Sequence, residues 1–354
     1  MKIVMTLLAR DEADIVDAQI AFHLHAGVDF VIATDNRSQD TTSEILERYE
    51  AQGFLHLIRE AGEDLRQSEW VTRMAQLAAT DFGADWVINA DADEFWWPRA
   101  SNLKDVFAVV PERYGVVRAA WRIFVPRPDD DQHFAERMTL RLCSPPYHDH
   151  PFATHSNSAH RAAPDVRIGR GNHEAFADGL LPLRGWFPIE IFHFPLRSLE
   201  QCRRKYVTQF LALERNPDKG TPGQIAEAYR AYLAGRLDDF YAPLVVPDDE
   251  LARGLADGVF TIDTRLRDAL RALSYGESAG MLQFAPPPRG EPTLAFSRPD
   301  VGDQALFAAE TSIIPESDLA QSLGARIGDL EARIDCMERS GLARIKSALP
   351  RGRA

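Results

Sequence analysis

Four short apolar runs, at residues 3–8, 30–33, 54–58 and 86–88, alternate with stretches whose apolar residues recur at helical spacing. Runs of this length bounded by turn formers read as buried strands. Between them lie helical patterns carrying Val16, Ile20 and Leu24, then Ile45, Leu46 and Tyr49, then, over residues 69–80, Trp70, Met74 and Leu77. Strand and helix in strict alternation predict an α/β fold with a mostly parallel sheet covered by helices on both faces. The local signals mark the ends. Asp11 or Asp14 is expected to cap the first helix, with Gly27 as its stop. Thr41-x-x-Glu44 reads as a capping box for the second, which stops near Gly53.

In sheets of this kind ligands bind beyond the carboxyl ends of the strands. The residues just past those ends are therefore the candidates for chemistry: Arg10-Asp11-Glu12, Thr34-Asp35-Asn36-Arg37-Ser38, and Asp91-Ala92-Asp93-Glu94 followed by Phe95, Trp96 and Trp97. Clustered carboxylates repel and resist burial unless a positive charge joins them. A hard divalent cation, Mg2+ or Mn2+, suits oxygen ligands of this type. In an extended segment Asp91 and Asp93 point the same way and can share one ion. The same string also suits a solvated acidic turn. The first strand–helix turn has no G-x-G-x-x-G and no G-K-[ST], which disfavours a dinucleotide fingerprint and a P-loop.

With 354 residues, 45% hydrophobic and 26% charged, the chain has the composition of a globular protein. A net charge of -13 argues against nucleic acid as a partner and against a polybasic membrane patch. Cys143, Cys202 and Cys336 are far apart and form neither a disulfide framework nor a zinc spacing. No signal peptide is read at the start and no apolar stretch approaches a membrane span. The expected location is cytoplasmic or peripheral at the inner face of the membrane.

Downstream, residues 103–124 read as a helix and then a strand. Residues 145–178 read as an irregular segment holding His148, His150, His155, His160 and His173. Residues 186–194 are apolar and contain Glu190 and His193. Ser198-x-x-Gln201 opens a helix with Arg203, Arg204 and Lys205, which are either site cations or a solvated face. From Gln224 the chain turns helical, through residues 251–273. The organisation expected is a catalytic domain at 1–215, a helical extension at 216–280, a Pro/Gly-rich linker at 281–317 and a C-terminal helix at 318–345. That helix spaces Ala320, Leu323, Ile327, Leu330, Ile334 and Met337 as a short coiled-coil seam. The seam fits a homo-oligomer or packing on its own chain.

Together, Arg10-Asp11-Glu12, Thr34-Asp35-Asn36-Arg37-Ser38-Gln39-Asp40 and Asp91-Ala92-Asp93-Glu94-Phe95 resemble the glycosyltransferase family 2-like proteins of the GT-A fold. The likeness is to the bacterial branch with a D-x-D-E-F motif. Gly171-Asn172-His173 and His193-Phe194-Pro195-Leu196-Arg197-Ser198 look like its downstream motifs, and the resemblance covers residues 2–206. Asp11 stands where the family commonly has Asn. The resemblance implies a nucleotide-diphosphate sugar donor, a UDP-sugar above all, with Mn2+ or Mg2+ as cofactor. It implies transfer with inversion to a saccharide or glycolipid hydroxyl. Glu12, Asp35, Asn36, Gln67, Arg73, Asp91 and Arg197 would bind the donor. Asp91, Asp93 and His193 would hold the metal.

The chemistry independently calls for positive charge at a leaving diphosphate and for a base at the acceptor hydroxyl. Glu174 is the first candidate for that base, with Asp178 and Asp149 next, and Asp93 is counted with the catalytic residues. His193 also reads as a packed histidine between Phe192 and Phe194. Two other functions fit the same crevice: a metal-dependent nucleotidyl- or phosphotransferase, and a non-catalytic sugar-binding scaffold.

Overall fold

The computed structural model describes residues 1–62, 66–99, 102–130, 132–143, 152, 155–183, 188–215 and 223–275. The expected linker, the C-terminal helix with its seam, Cys336 and Asp149 lie outside the described residues. The first half follows the predicted alternation: β1 (Ile3–Ala9), α1 (Val16–Ala26), β2 (Phe30–Asp35), α2 (Thr42–Ala51), β3 (Leu55–Arg59), α3 (Gln67–Thr80) and β4 (Trp86–Asp91). Then come β5 (Glu94–Pro98), α4 (Leu103–Ala108), β6 (Val116–Ile123), α5 (Phe134–Arg137), β7 (Leu140–Leu142) and β8 (Ser156–Arg161). Next are the short strands β9 (Arg167–Ile168), β10 (Ala175–Phe176) and β11 (Pro182–Leu183), and then β12 (Ile189–His193). The remaining elements are α6 (Leu199–Glu214), α7 (Gly223–Leu233), α8 (Leu237–Tyr241), α9 (Asp248–Ala256), β13 (Phe260–Ile262) and α10 (Arg265–Tyr275).

The main sheet runs β3-β2-β1-β4-β8-β6-β12-β5, with β11 beside β6. β3, β2, β1 and β4 are mutually parallel. β8 runs antiparallel to both β4 and β6, β12 runs parallel to β6, and β5 closes the edge antiparallel to β12. The α/β class and the helix-covered sheet expected from the sequence are the ones observed. Because strand side chains alternate, Ile3, Met5 and Leu7 join one core with α1 and α4. Val4 turns to the other face, against Val71, Met74, Ala75 and Ala78 of α3. Met74 is fully buried there, so Met74→Ala should cost about 2–5 kcal/mol.

Residues 223–275 do not form a separate core. Ile225, Ala228, Leu237 and Tyr241 pack with Ile123, Leu140, Leu196, Cys202 and Tyr206. The helical reading of 251–273 misses β13, which pairs antiparallel with β7.

Several local expectations change. Neither Asp11 nor Asp14 caps α1. Its N-cap is Ile15, without a side-chain cap, while Asp14 is drawn to Arg197 and Asp11 accepts from the Gln39 N–H at 2.6 Å. Gly27 does stop the helix, at φ 113°. Thr41 makes no capping bond. Asp40 takes that role by accepting from the Thr42 N–H at 3.0 Å.

The largest departure is β8. The segment read as irregular contains the strand Ser156-Asn157-Ser158-Ala159-His160-Arg161, inserted at the centre of the sheet. It escapes sequence reading because its inward side chains are polar and its composition has low strand preference. Two of those polar side chains are satisfied at the site, Asn157 by Glu94 and Ser158 by the His173 carbonyl.

Candidate functional site

A cavity of about 500 Å3 opens at the carboxyl ends of β1, β2 and β4 and is roofed by α6. Arg10, Asp11 and Glu12 line it from beyond β1, Asn36 from beyond β2, Asp91 from the end of β4, and Ala92 and Asp93 from the turn that follows. Gln67 enters from the start of α3, and Trp121, His155, His173 and His193 form one wall. Arg204, Lys205, Tyr206, Thr208 and Gln209 come from α6.

The turn between β4 and β5 is built by the ladder around it. His193 pairs with Glu94 in register, and the Phe194 N–H donates to the Asp93 carbonyl at 2.9 Å, which sets β12 against the turn. Asp91 therefore ends β4 while Asp93 lies in the two-residue turn to β5, so the pair does not share the one extended segment expected. Asn157 of β8 donates from Nδ2 to both oxygens of Glu94 at 2.8 Å. Its Oδ1 lies 3.0 Å from His173 Nδ1, which also faces the Ser156 carbonyl at 3.0 Å. Two acceptors at one ring nitrogen assign the His173 proton to Nδ1 and leave Nε2 unprotonated.

The three carboxyls of the turn differ. Burial, with repulsion from Asp91 and Asp93, pushes Glu94 well above the usual carboxylate range. Burial would also raise Asp93, but Lys205 and then His193 overcome it and hold Asp93 well below that range. Lys205 Nζ donates to Asp93 Oδ2 at 2.5 Å, and His193 Nε2 lies 3.6 Å from Asp93 Oδ1. Asp91 is held by amides. Asn172 Nδ2 donates to its Oδ1 at 3.0 Å and Gln67 Nε2 at 3.4 Å, while burial and Asp93 push its carboxyl up to about 6. Burial pushes Glu12 to about 7 against the pull of Arg197. Burial lowers His173 to about 3, so it stays neutral.

The wall is aromatic. Trp121 and His193 have ring centroids 4.1 Å apart, and His155 stacks on His173 at 4.7 Å.

Of the residues selected from sequence, Glu12, Asn36, Gln67, Asp91, Asp93 and His193 line this cavity. Asp35, Arg73, Arg197 and Glu174 do not. Asp35 is spent on its own loop, accepting from the Ser38 N–H at 3.0 Å and from the Ser38 and Ser43 hydroxyls. Arg73 pairs with Glu60 on the outside of α3. Arg197 is fully buried, 2.5 Å from Glu12 and 2.6 Å from Asp14. Glu174 accepts the Gly169 N–H on its carbonyl at 2.9 Å and lays its side chain beside Gly169. Asp178 is exposed.

Sequence reading did not select Asn157 or Trp121 as site residues, and it left Lys205 open between a site cation and a solvated face. For Lys205 a signal existed, since a lone cationic cluster in an acidic chain faced an acidic crevice. Of that cluster, Arg203 is exposed on Glu200, Arg204 reaches Asp40 at 3.3 Å, and Lys205 alone enters the turn.

The donor set suits a divalent cation poorly. Asp93 presents its oxygens to Lys205 and His193, and Asp91 is held by two amides. Among the described residues, no three His, Cys, Asp or Glu side chains are grouped to hold a metal ion.

No protein-family profile matches the chain, and no curated protein sequence matches it. Solved structures resemble it in part. It is similar to S. aureus TarS 1–349 in complex with UDP at 14% identity, over 59% of this chain and 65% of that one, with a TM-score of 0.33. The complex of TarS 1–349 with UDP-GlcNAc gives 14%, 59%, 66% and 0.33. Glucosyl-3-phosphoglycerate synthase from Mycobacterium tuberculosis, in complex with Mn2+, UDP and glucosyl-3-phosphoglycerate, gives 20% identity over 36% of this chain and 44% of that one, at 0.24. The chain thus spans less than two thirds of each, and likenesses this slight carry no functional argument. Among the described residues, no helix is long and apolar enough to cross a membrane.

Proposed function

We propose that the protein is a glycosyltransferase that moves a sugar from a nucleotide-diphosphate donor, a UDP-sugar in the first instance, to a hydroxyl of a saccharide or glycolipid. The observation that carries this reading is one cavity combining cations with a near-neutral carboxyl. Arg10, Arg204 and Lys205 line it together with Asp91, whose pKa is about 6, at the strand ends where ligands of such sheets bind. Its volume of about 500 Å3 is in the range of small-molecule sites.

The residues divide the work. The cations neutralise the diphosphate, where negative charge grows as the sugar leaves. Asp91 is the base: it is ionised at neutral pH, titrates near it, and is hydrogen-bonded to amides rather than to a cation. The acceptor oxygen bonds to the anomeric carbon while the bond from that carbon to the diphosphate breaks. The bonding electrons leave on the diphosphate, and the acceptor proton goes to Asp91. This single displacement inverts the anomeric centre. Asp91 replaces Glu174 as the proposed base because Glu174 does not face the cavity. Trp121, His155 and His173 offer flat apolar faces to a sugar ring.

A thermal-shift screen of nucleotide sugars tests the reading. A rise in melting temperature with one sugar nucleotide, larger than with its free sugar, supports it. No rise with any of them removes it.

A further inference from the structure

We propose that Lys205 takes the place of a divalent cation in this site, so that a nucleoside diphosphate binds without metal. The inference rests on the nucleotide-sugar reading and concerns how the diphosphate is held. Lys205 Nζ donates to Asp93 Oδ2 at 2.5 Å and to the Pro195 carbonyl at 3.1 Å. An ammonium has three N–H donors. One is left for a ligand in the cavity that Lys205 lines.

The lysine is carried by an anchored element. α6 begins at a satisfied cap, where Ser198 Oγ accepts from the Gln201 N–H at 3.1 Å and Gln201 Oε1 accepts from the Arg197 N–H at 3.2 Å. Arg197, immediately before the cap, is buried and fastened to Glu12 and Asp14. Lys205 follows two turns later and so reaches Asp93 from a fixed start.

A cation bridging Asp91 and Asp93 would compete for Asp93 oxygens that already face Lys205 and, at 3.6 Å, His193. It would also meet the like charge of the ammonium at close range. Arg204, the neighbour of Lys205 on α6, and Arg10, beyond β1, line the same cavity. Arginine matches phosphate oxygens in pairs. The chain thus brings its own positive charge to the place where the D-x-D resemblance puts a metal.

Calorimetric titration with UDP, and with GDP and dTDP as further probes, tests this on the full-length protein, in excess EDTA and in Mn2+. The wild type is expected to bind a probe in EDTA within about threefold of its affinity in Mn2+. Lys205→Met should weaken binding in EDTA by about 10- to 100-fold, the range for a lost charge-assisted hydrogen bond. Lys205→Arg, which keeps the charge, should recover most of it. Wild-type binding that requires Mn2+ overturns the proposal while leaving the nucleotide reading intact, even if the Met variant does not fold. Lys205→Met binding in EDTA like the wild type also overturns it. No binding of any probe in either buffer overturns the nucleotide reading, and the proposal with it.

Discussion

Asp91 at the end of β4 and Asp93 in the turn that follows are held in opposite directions: Lys205, 2.5 Å from Asp93, holds that carboxyl well below the usual range, while burial and Asp93 itself push Asp91 up to about 6. Such a split assigns separate roles to like groups. In the proposed transfer Asp93 positions the ammonium and Asp91 accepts the proton.

The raised value of Asp91 predicts a pH-dependent gain on its removal. An unfolded aspartate titrates near 3.9, and native Asp91 near 6. Between those values the native state binds the proton more tightly. Stability from this group is therefore present at low pH, lost as pH rises through the window, and absent above it. Asp91→Asn removes the loss. The variant should be more stable than the wild type by about 1–3 kcal/mol at pH 8, with the difference shrinking toward pH 4. Urea unfolding at both values checks this, and a variant less stable at pH 8 contradicts it.

Asp93→Asn should behave oppositely. It leaves the Lys205 ammonium without its carboxylate in a buried turn, which costs about 3–5 kcal/mol. The melting temperature should fall at pH 8, where that of Asp91→Asn rises.

Glu190 anchors β12 away from the cavity. It accepts from Arg99 at 3.0 Å, Arg122 at 2.7 Å and Arg265 at 2.8 Å, and is almost wholly buried. Burial alone would raise it, but these arginines hold it well below the usual range. Glu190→Gln should destabilise the fold by about 3–5 kcal/mol, because the buried guanidinium groups lose their counter-charge. Chemical denaturation reads this directly, and a change under about 1 kcal/mol would show that the arginines find other partners.

Ser198→Ala removes the cap of α6 at a cost of about 1 kcal/mol. Since α6 carries Lys205, nucleoside diphosphate affinity should fall with it. An unchanged affinity would mean that Lys205 is held by Asp93 and Pro195 alone.

The parallel half of the sheet was legible because β1 to β4 are apolar, bounded by turn residues and separated by periodic helices. The strand-end residues Glu12, Asn36, Asp91 and Asp93 were legible for the same reason, since topology alone brings strand ends together. β8 was not. Asn157 serves Glu94 and His173, so its strand carries polar residues where a pattern search requires apolar ones. Arg197 illustrates a different limit. A guanidinium suited to phosphate is instead buried on Glu12 and Asp14, a partnership across more than 180 residues that no local spacing encodes. Glu174 was chosen for its neighbours in sequence, and the backbone turns it onto Gly169.

Product analysis tests the assignment of Asp91 as the base of a sugar transfer most directly. Wild type and Asp91→Asn are each incubated with a panel of nucleotide sugars and saccharide acceptors, and nucleoside diphosphate release and sugar attachment are measured side by side. The wild type is expected to release nucleoside diphosphate from one donor with matching sugar transfer. Asp91→Asn should be slower by about 10²–10⁴ with its donor affinity retained. Equal turnover by the two proteins, or release of a nucleoside monophosphate or inorganic diphosphate in place of the nucleoside diphosphate, would contradict it.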